Sequence, residues 1–416
     1  MMEIAALADL LKLEDDALLE AVARQTFHFF WDGAEPASFL ARDRSTTEAD
    51  PPGDLVAVGG SGFGIMALVV AVERGWVMRA DAVMRLTRML DLLEKAERYH
   101  GAYPHFLHGE TGKTIPFGPL DDGGDLVETA LLMMGLLTAR QYFAGEITLA
   151  ARITTLFDAV EWDWYRHGED VLYWHWSAQH GWAMNHSIRG WNETLITYVL
   201  AAGAAHHSIS AKVYENGFCN STDYWNGKIY CGVHLPLGPD GGGPLFFAHY
   251  SFCGLDPYGL ADGHADYWRQ NVAQVAANRA HCIANPGGFA GYGPACWGLT
   301  ASDDPSGYEA HAPNSDNGTI SPTAALSSFP YAPEAAMAAL RHFLSAHGDK
   351  LWGRFGFADA FNETRNWWAD TFLAIDQGPI IVMMENYRSG LLWKLFMAAP
   401  EVQSGLRRLG FTGLHA

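Results

Sequence analysis

Residues 121–144 read DDGGDLVETALLMMGLLTARQYFA, and the fold turns on how this stretch is read. Gly123 and Gly124 let the chain bend sharply without a side-chain penalty. The apolar run that follows predicts a helix over 125–144. Asp121, Asp125 and Glu128 are spaced by four and three residues, so Asp125 and Glu128 share the first helical turn and point the same way. That spacing is also a helix cap, because first-turn N–H groups attract carboxylates. The additional Asp pair just before the turn favours a polar site at the helix mouth.

The same pattern recurs outward in both directions. Helical apolar spacing is read over 14–31, 62–75, 79–98, 148–160, 192–205, 262–282, 333–347 and 378–398. A Pro/Asp/Gly loop is expected near 50–54, and short strands over Val171–Trp176 and Lys228–Leu235. Long loops rich in Gly, Asp, His and aromatics fill 99–124, 216–262 and 284–322. Loops of that length inside a compact chain are usually functional. No repeat or low-complexity tract divides the sequence. The expectation is one domain, 1–416, of about a dozen helices paired as hairpins. A toroid of six such hairpins, an all-α (α/α)6 barrel with loops and short β-hairpins over one face, closes that pattern.

Two further acid segments stand at predicted helix starts. In RGWNET, 189–194, Glu193 lies beside Trp191, and an apolar wall raises a carboxyl pKa as a general acid requires; Asn192 as a cap is the structural alternative. In IDQGPIIVMMENYR, 375–388, Pro379 suits a first helical turn, which puts Asp376 and Gln377 at its mouth. Glu385 and Arg388 are expected to pair along that helix. The loop 296–322 collects Trp297, Thr300, Ser302, Asp303, Tyr308, His311, Asp316 and Asn317, as a substrate wall would.

Composition excludes several classes. The net charge is −20 and no basic run occurs, which argues against nucleic acid and anionic membranes as partners. The 15 Trp fit either a large core or sugar stacking. Five cysteines without a CxxC pair suggest free, mostly buried thiols rather than disulfides or a zinc ribbon. No GxSxG, HExxH, Walker A or dinucleotide fingerprint is present, so no cofactor or metal is expected, with calcium on the Asp-rich loops a minor alternative. The N-terminal segment lacks a basic n-region, a long apolar core and a cleavage site, and 379–384 is too short to span a bilayer. The chain as given is therefore expected to be cytoplasmic, or periplasmic if a signal was removed. Nothing in the sequence sets an oligomeric state.

Taken in order, these segments resemble the bacterial glycoamylase-like family. The likeness is strongest to glycoside hydrolase family 144, the endo-β-1,2-glucanases, and to the related domain of cyclic β-1,2-glucan synthases. The carriers are DRS at 43–45, DDGGDLVETA at 121–130, RGWNET at 189–194, GPLFFAHYSFCGLDP at 243–257 and YWRQNV at 267–272. CWGLTASD at 296–303, the run 310–331, LWGRFGFADAFN at 351–362 and AIDQGPIIVMMENYRSGLLWKLFM at 374–397 complete them. The resemblance implies an (α/α)6 barrel and inverting hydrolysis of β-1,2-glucan or sophoro-oligosaccharides, with glucosyl transfer or silent glycan binding as alternatives. The implied catalytic acids are Asp121, Asp125, Glu128, Glu193 and Asp376. Glu193 is expected to be the general acid, and one of the 121–128 group to position water. Two carboxyls roughly 6.5–9.5 Å apart would suit inversion. Arg189, Trp191, His249, Tyr250, Trp297, His311, Asn386, Tyr387 and Trp393 are the expected substrate contacts.

Overall fold

The computed structural model describes residues 5–48 and 54–413. The loop expected near 50–54 lies, apart from Asp54, outside them. Helices dominate, joined by loops that carry short two- and three-stranded antiparallel sheets.

The helices fall into two kinds. Val58–Glu73, Leu126–Tyr142, Leu195–Gly203 and Ala374–Ser389 are buried over nearly their whole circumference. Helices apolar all round have to lie inside. Arg79–Leu93, Ile147–Asp158, Pro333–Leu351 and Pro400–Arg408 bury one stripe each and form an outer layer. The inner helices approach very closely. A Cβ on Gly62 would lie 2.1 Å from the Leu131 carbonyl oxygen, and one on Gly135 would lie 2.1 Å from that of Gly62. Helices 58–73 and 126–142 therefore touch backbone to backbone, and only glycine fits at the crossing.

Short strands lead directly into the inner helices. Leu55–Ala57 precedes the helix at 58 and pairs with Phe106–His108. Gly124–Asp125 precedes the helix at 126 and pairs with His175–Trp176. Thr371–Leu373 precedes the helix at 374 and pairs with Arg44–Thr46, and Ala374 N–H donates to the Asp43 carbonyl. These pairings gather the loops at the N-terminal ends of the inner helices, where unpaired N–H groups give a positive field.

Several expectations need correction. The strand expected over 228–235 is a hairpin, Trp225–Tyr230 with Val233–Leu237, turning at Cys231 and Gly232, both at positive φ. Only His175–Trp176 of the expected strand 171–176 is paired as a strand. The helix expected over 378–398 starts at Ala374 and breaks at left-handed Gly390. Pro379 thus sits inside it rather than in its first turn. Glu385 pairs with Arg74, at 2.8 Å, and Arg388 with Glu20 and Asp16, so the two do not pair with each other. The final helix Pro400–Arg408 was not expected; its Pro at the first position follows a gap of only two residues from the previous helix. All five cysteines are free, four of them buried. Among the described residues no helix is long and apolar enough to cross a membrane.

Candidate active site

Asp125 caps the helix 126–142. Its Oδ1 accepts from the Val127 and Glu128 N–H groups, both at 2.9 Å. Its Oδ2 accepts from Trp174 Nε1 at 3.1 Å and meets His105 Nδ1 at 3.2 Å. With both oxygens engaged and the side chain buried, Asp125 organises its neighbours. Asp121 lies 3.5 Å from His175 Nε2, which itself accepts from Gly123 N–H. Burial, and then the Asp125 charge, push the Asp121 pKa up to about 6. His105, Asp121 and Asp125 offer ligand atoms within 4.8 Å of one another, a spacing that could suit a cation. His105 already supplies positive charge there: burial opposes it, but Glu128, Asp125 and Asp121 hold its pKa up at about 10.

One turn on, Glu128 reaches into a cavity of about 440 Å³. Its Oε2 accepts from Gly59 N–H, at the start of the helix 58–73, at 2.6 Å. Glu193 enters the same cavity from the start of the helix 195–203. Asn192 Oδ1 accepts from the Thr194 N–H and hydroxyl and fixes that turn. Trp174, Phe106, Phe117, Phe246, Tyr250 and Tyr308 are among the other walls. In this mostly apolar setting burial raises both Glu128 and Glu193 to about 7. The next influence differs. For Glu128 it is the His105 charge, which favours ionisation; for Glu193 it is the backbone, followed by repulsion from Glu128 and Asp125. Among the described residues no cationic side chain figures in the Glu193 shift. Of the two, only Glu128 has the His105 charge favouring its ionised form.

A second acid group stands across Tyr250. Asp376, in the first turn of the helix 374–389, and Asp359 are both buried. One oxygen of each lacks any donor from the rest of the protein, and the two carboxyls bond each other. A shared proton is the arrangement that satisfies both. Burial pushes both pKa values up, and the Asp359 charge pushes Asp376 farther, so Asp376 carries it. Asp359 also accepts from Asp303 N–H at 2.7 Å, and the Asp303 carboxylate is held by Thr371 Oγ1 at 2.6 Å and by Arg44 at 3.3 Å.

Glu128, Glu193 and Tyr250 line the cavity; Asp121 and Asp125 stand just behind it. Most of the expected binding residues do not reach it. Trp191 is buried, with Nε1 on Gln274, and Trp297 is fully buried. His249 is buried against Ser328. His311 is buried 3.8 Å from Asp304. Arg189 faces outward, on Ser187 and Asn216. Asn386 binds the Cys253 carbonyl and Trp393 N–H, Trp393 donates to the Phe252 carbonyl, and Tyr387 packs on Phe329. Asn386 is ten residues beyond Asp376, roughly 15 Å along the helix at 1.5 Å per residue, so these last three lie at its other end. Sequence reasoning missed His105, Trp174 and Asp359 as site residues. DRS at 43–45 and FADAFN at 357–362 were among the matched motifs, and their acids were the available signal.

The Glycoamylase family model, a family described under glucoamylase, matches residues 185–400. The chain belongs to this glycoamylase-like family. Within it, the chain is 52% identical to the endo-β-1,2-glucanase of Chitinophaga pinensis, solved with sophorotriose and glucose; the match covers 96% of this chain and 99% of that one, with a TM-score of 0.94. It is 46% identical to an exo-β-1,2-glucooligosaccharide sophorohydrolase (non-reducing end) of Parabacteroides distasonis, over 95% of this chain. This glycoamylase-like chain spans 58% of the length of that curated relative. A crystal structure of a β-1,2-glucanase from the same organism matches with 45% identity and a TM-score of 0.92, over 96% of this chain and 60% of that one.

Proposed function

We propose that this chain is a glycoside hydrolase that cleaves β-1,2-glucan or sophoro-oligosaccharides with inversion. The observation that carries the reading is the Glu193–Glu128 pair. Two carboxyls face one walled cavity, both raised to about 7, and only one has a cation beside it. Such a pair supplies one acid and one base near neutrality. Glu193 protonates the leaving oxygen. Glu128, held by Gly59 N–H and kept ionised by His105, draws a proton from the attacking water. Asp125 and Asp121 position His105. The aromatic walls suit the apolar faces of pyranose rings, and the acids suit their hydroxyls. The relatives named above act on β-1,2-linked glucans, which supports that linkage here.

The enclosed Asp359–Asp376 pair favours a second assignment, with Asp376 activating water once its proton has passed to Asp359. For the architecture we infer one catalytic domain over 1–416 built as an (α/α)6 barrel. The order of buried inner helix followed by amphipathic outer helix, seen at 58–73 with 79–93 and 126–142 with 147–158, supports it.

Glu193→Gln keeps the shape and removes the proton, so kcat falls by about 10²–10⁴-fold, and NMR of the first wild-type products shows the α-anomer. A β-anomer at early times, or a Gln variant that turns over normally, contradicts the mechanism. Comparison of Glu128→Gln with Asp376→Asn then identifies the base.

A further inference from the structure

We propose that Trp176, Trp164 and Trp182 form an aromatic track, outside the cavity, that holds the glucan chain where it leaves the site on the Asp125 side. The proposal rests on the carbohydrate reading above and extends it to chain length.

The track is continuous with the site. Trp174 lines the cavity. Side chains alternate along an extended chain, and the burial follows: His175 is buried while Trp174 and Trp176 on either side are half-exposed. Trp176 pairs across the sheet with Gly124, one residue from Asp125. The Trp164 ring centroid lies 6.0 Å from that of Trp176, which meets it edge-on at 87°, and the Trp182 ring lies 6.5 Å from Trp164, tilted by 31°, so the track turns at Trp176.

The rings are held but not covered. His100 stacks on Trp164 at 3.7 Å and His167 on Trp182 at 4.6 Å, so these two indoles each have one face backed by an imidazole, and His100 meets Trp176 edge-on. Trp164 is 40% exposed, whereas Trp162, Trp191 and Trp297 are the fully buried tryptophans of the core. Among the described residues none of the three indole N–H groups is bonded within the chain or sealed from water, unlike Trp174, Trp191 and Trp393. Trp176 and Trp182 pack against the core and remain half-exposed. A flat apolar face with a free N–H at its edge matches a pyranose, which offers C–H groups on its faces and hydroxyls at its rim. The occupant is the glucan itself, several sugars removed from the bond that breaks.

The test compares wild type with Trp164→Ala/Trp182→Ala and Trp164→Phe on linear β-1,2-glucan and on the shortest sophoro-oligosaccharide that the wild type cleaves. The expected result is a fall of about five-fold or more in the ratio of kcat/KM on polymer to kcat/KM on oligosaccharide for the Ala double variant. The Phe variant keeps most of the ratio, and equal melting temperatures confine the effect to binding. An unchanged ratio overturns the track and leaves the hydrolase reading intact. If the wild type cleaves no β-1,2-glucan, that reading falls and the track is read by gel retardation in β-1,2-, β-1,3- and β-1,4-glucans. Retardation lost in the double variant supports the track; a wild type retarded by none of them overturns it.

Discussion

At the scale of single residues, the two candidate catalytic acids are similar groups in unequal surroundings. Burial raises Glu193 and Glu128 alike, and the His105 imidazolium favours the anion of only one. kcat/KM is therefore expected to be bell-shaped with its limbs on either side of pH 7. In His105→Asn the cation that lowers Glu128 is gone, so the acid limb moves to higher pH; a limb that stays put removes His105 from the account. Asp376 gives a stability signature. Its pKa is raised on folding, so the folded state keeps a proton that the unfolded chain loses from about pH 4 upward. That contribution is full below the unfolded value and declines as pH rises through the folded one. Asp376→Asn has no such proton to lose. Its melting temperature relative to wild type should climb between pH 5 and pH 8, and a constant difference contradicts the buried, protonated assignment. Glu128 and Glu193 were legible because each stands at the start of a long apolar run. Asp359 was not, because FADAFN carries no periodicity and its partner Asp376 is distant in sequence. Trp191 and Trp297 were misjudged because a core indole and a sugar platform have the same letter.

At the scale of elements, the capping and catalytic readings of 121–128 turn out to be compatible. Asp125 is the cap, and by capping it holds Glu128 one turn on and His105 beside it. Helix types and most boundaries were legible from apolar spacing. The exceptions have local causes: Gly390 adopts the left-handed conformation and breaks a run that spacing alone continues, and Cys231–Gly232 makes a two-residue turn without the usual Asn-Gly or Asp-Gly signal. The Gly62–Gly135 crossing sets how near Gly59 comes to Glu128. Gly135→Ala should therefore cost more than the usual 1–3 kcal/mol of overpacking, because the neighbour is backbone and cannot repack. Denaturant unfolding measures it; a variant as stable as wild type shows that the helices can separate freely.

At the scale of the whole molecule, an apolar inner layer of helices presents its N-terminal ends to one set of loops. Strands of two or three residues tie those loops to the helix starts. The layered helices were foreseeable from composition and period. How the loops meet was not, because their contacts join residues as distant as Arg44 and Asp303. The central claim is that this convergence makes a β-1,2-glucan hydrolase. Its most direct test is to incubate the pure protein with linear β-1,2-glucan, sophoro-oligosaccharides, β-1,3-glucan, cellulose and starch, and to separate the products by chromatography. Cleavage confined to the β-1,2-linked substrates, and lost in Glu193→Gln, is the predicted result. Cleavage of starch or of the other linkages instead, or turnover that survives Glu193→Gln, would contradict it.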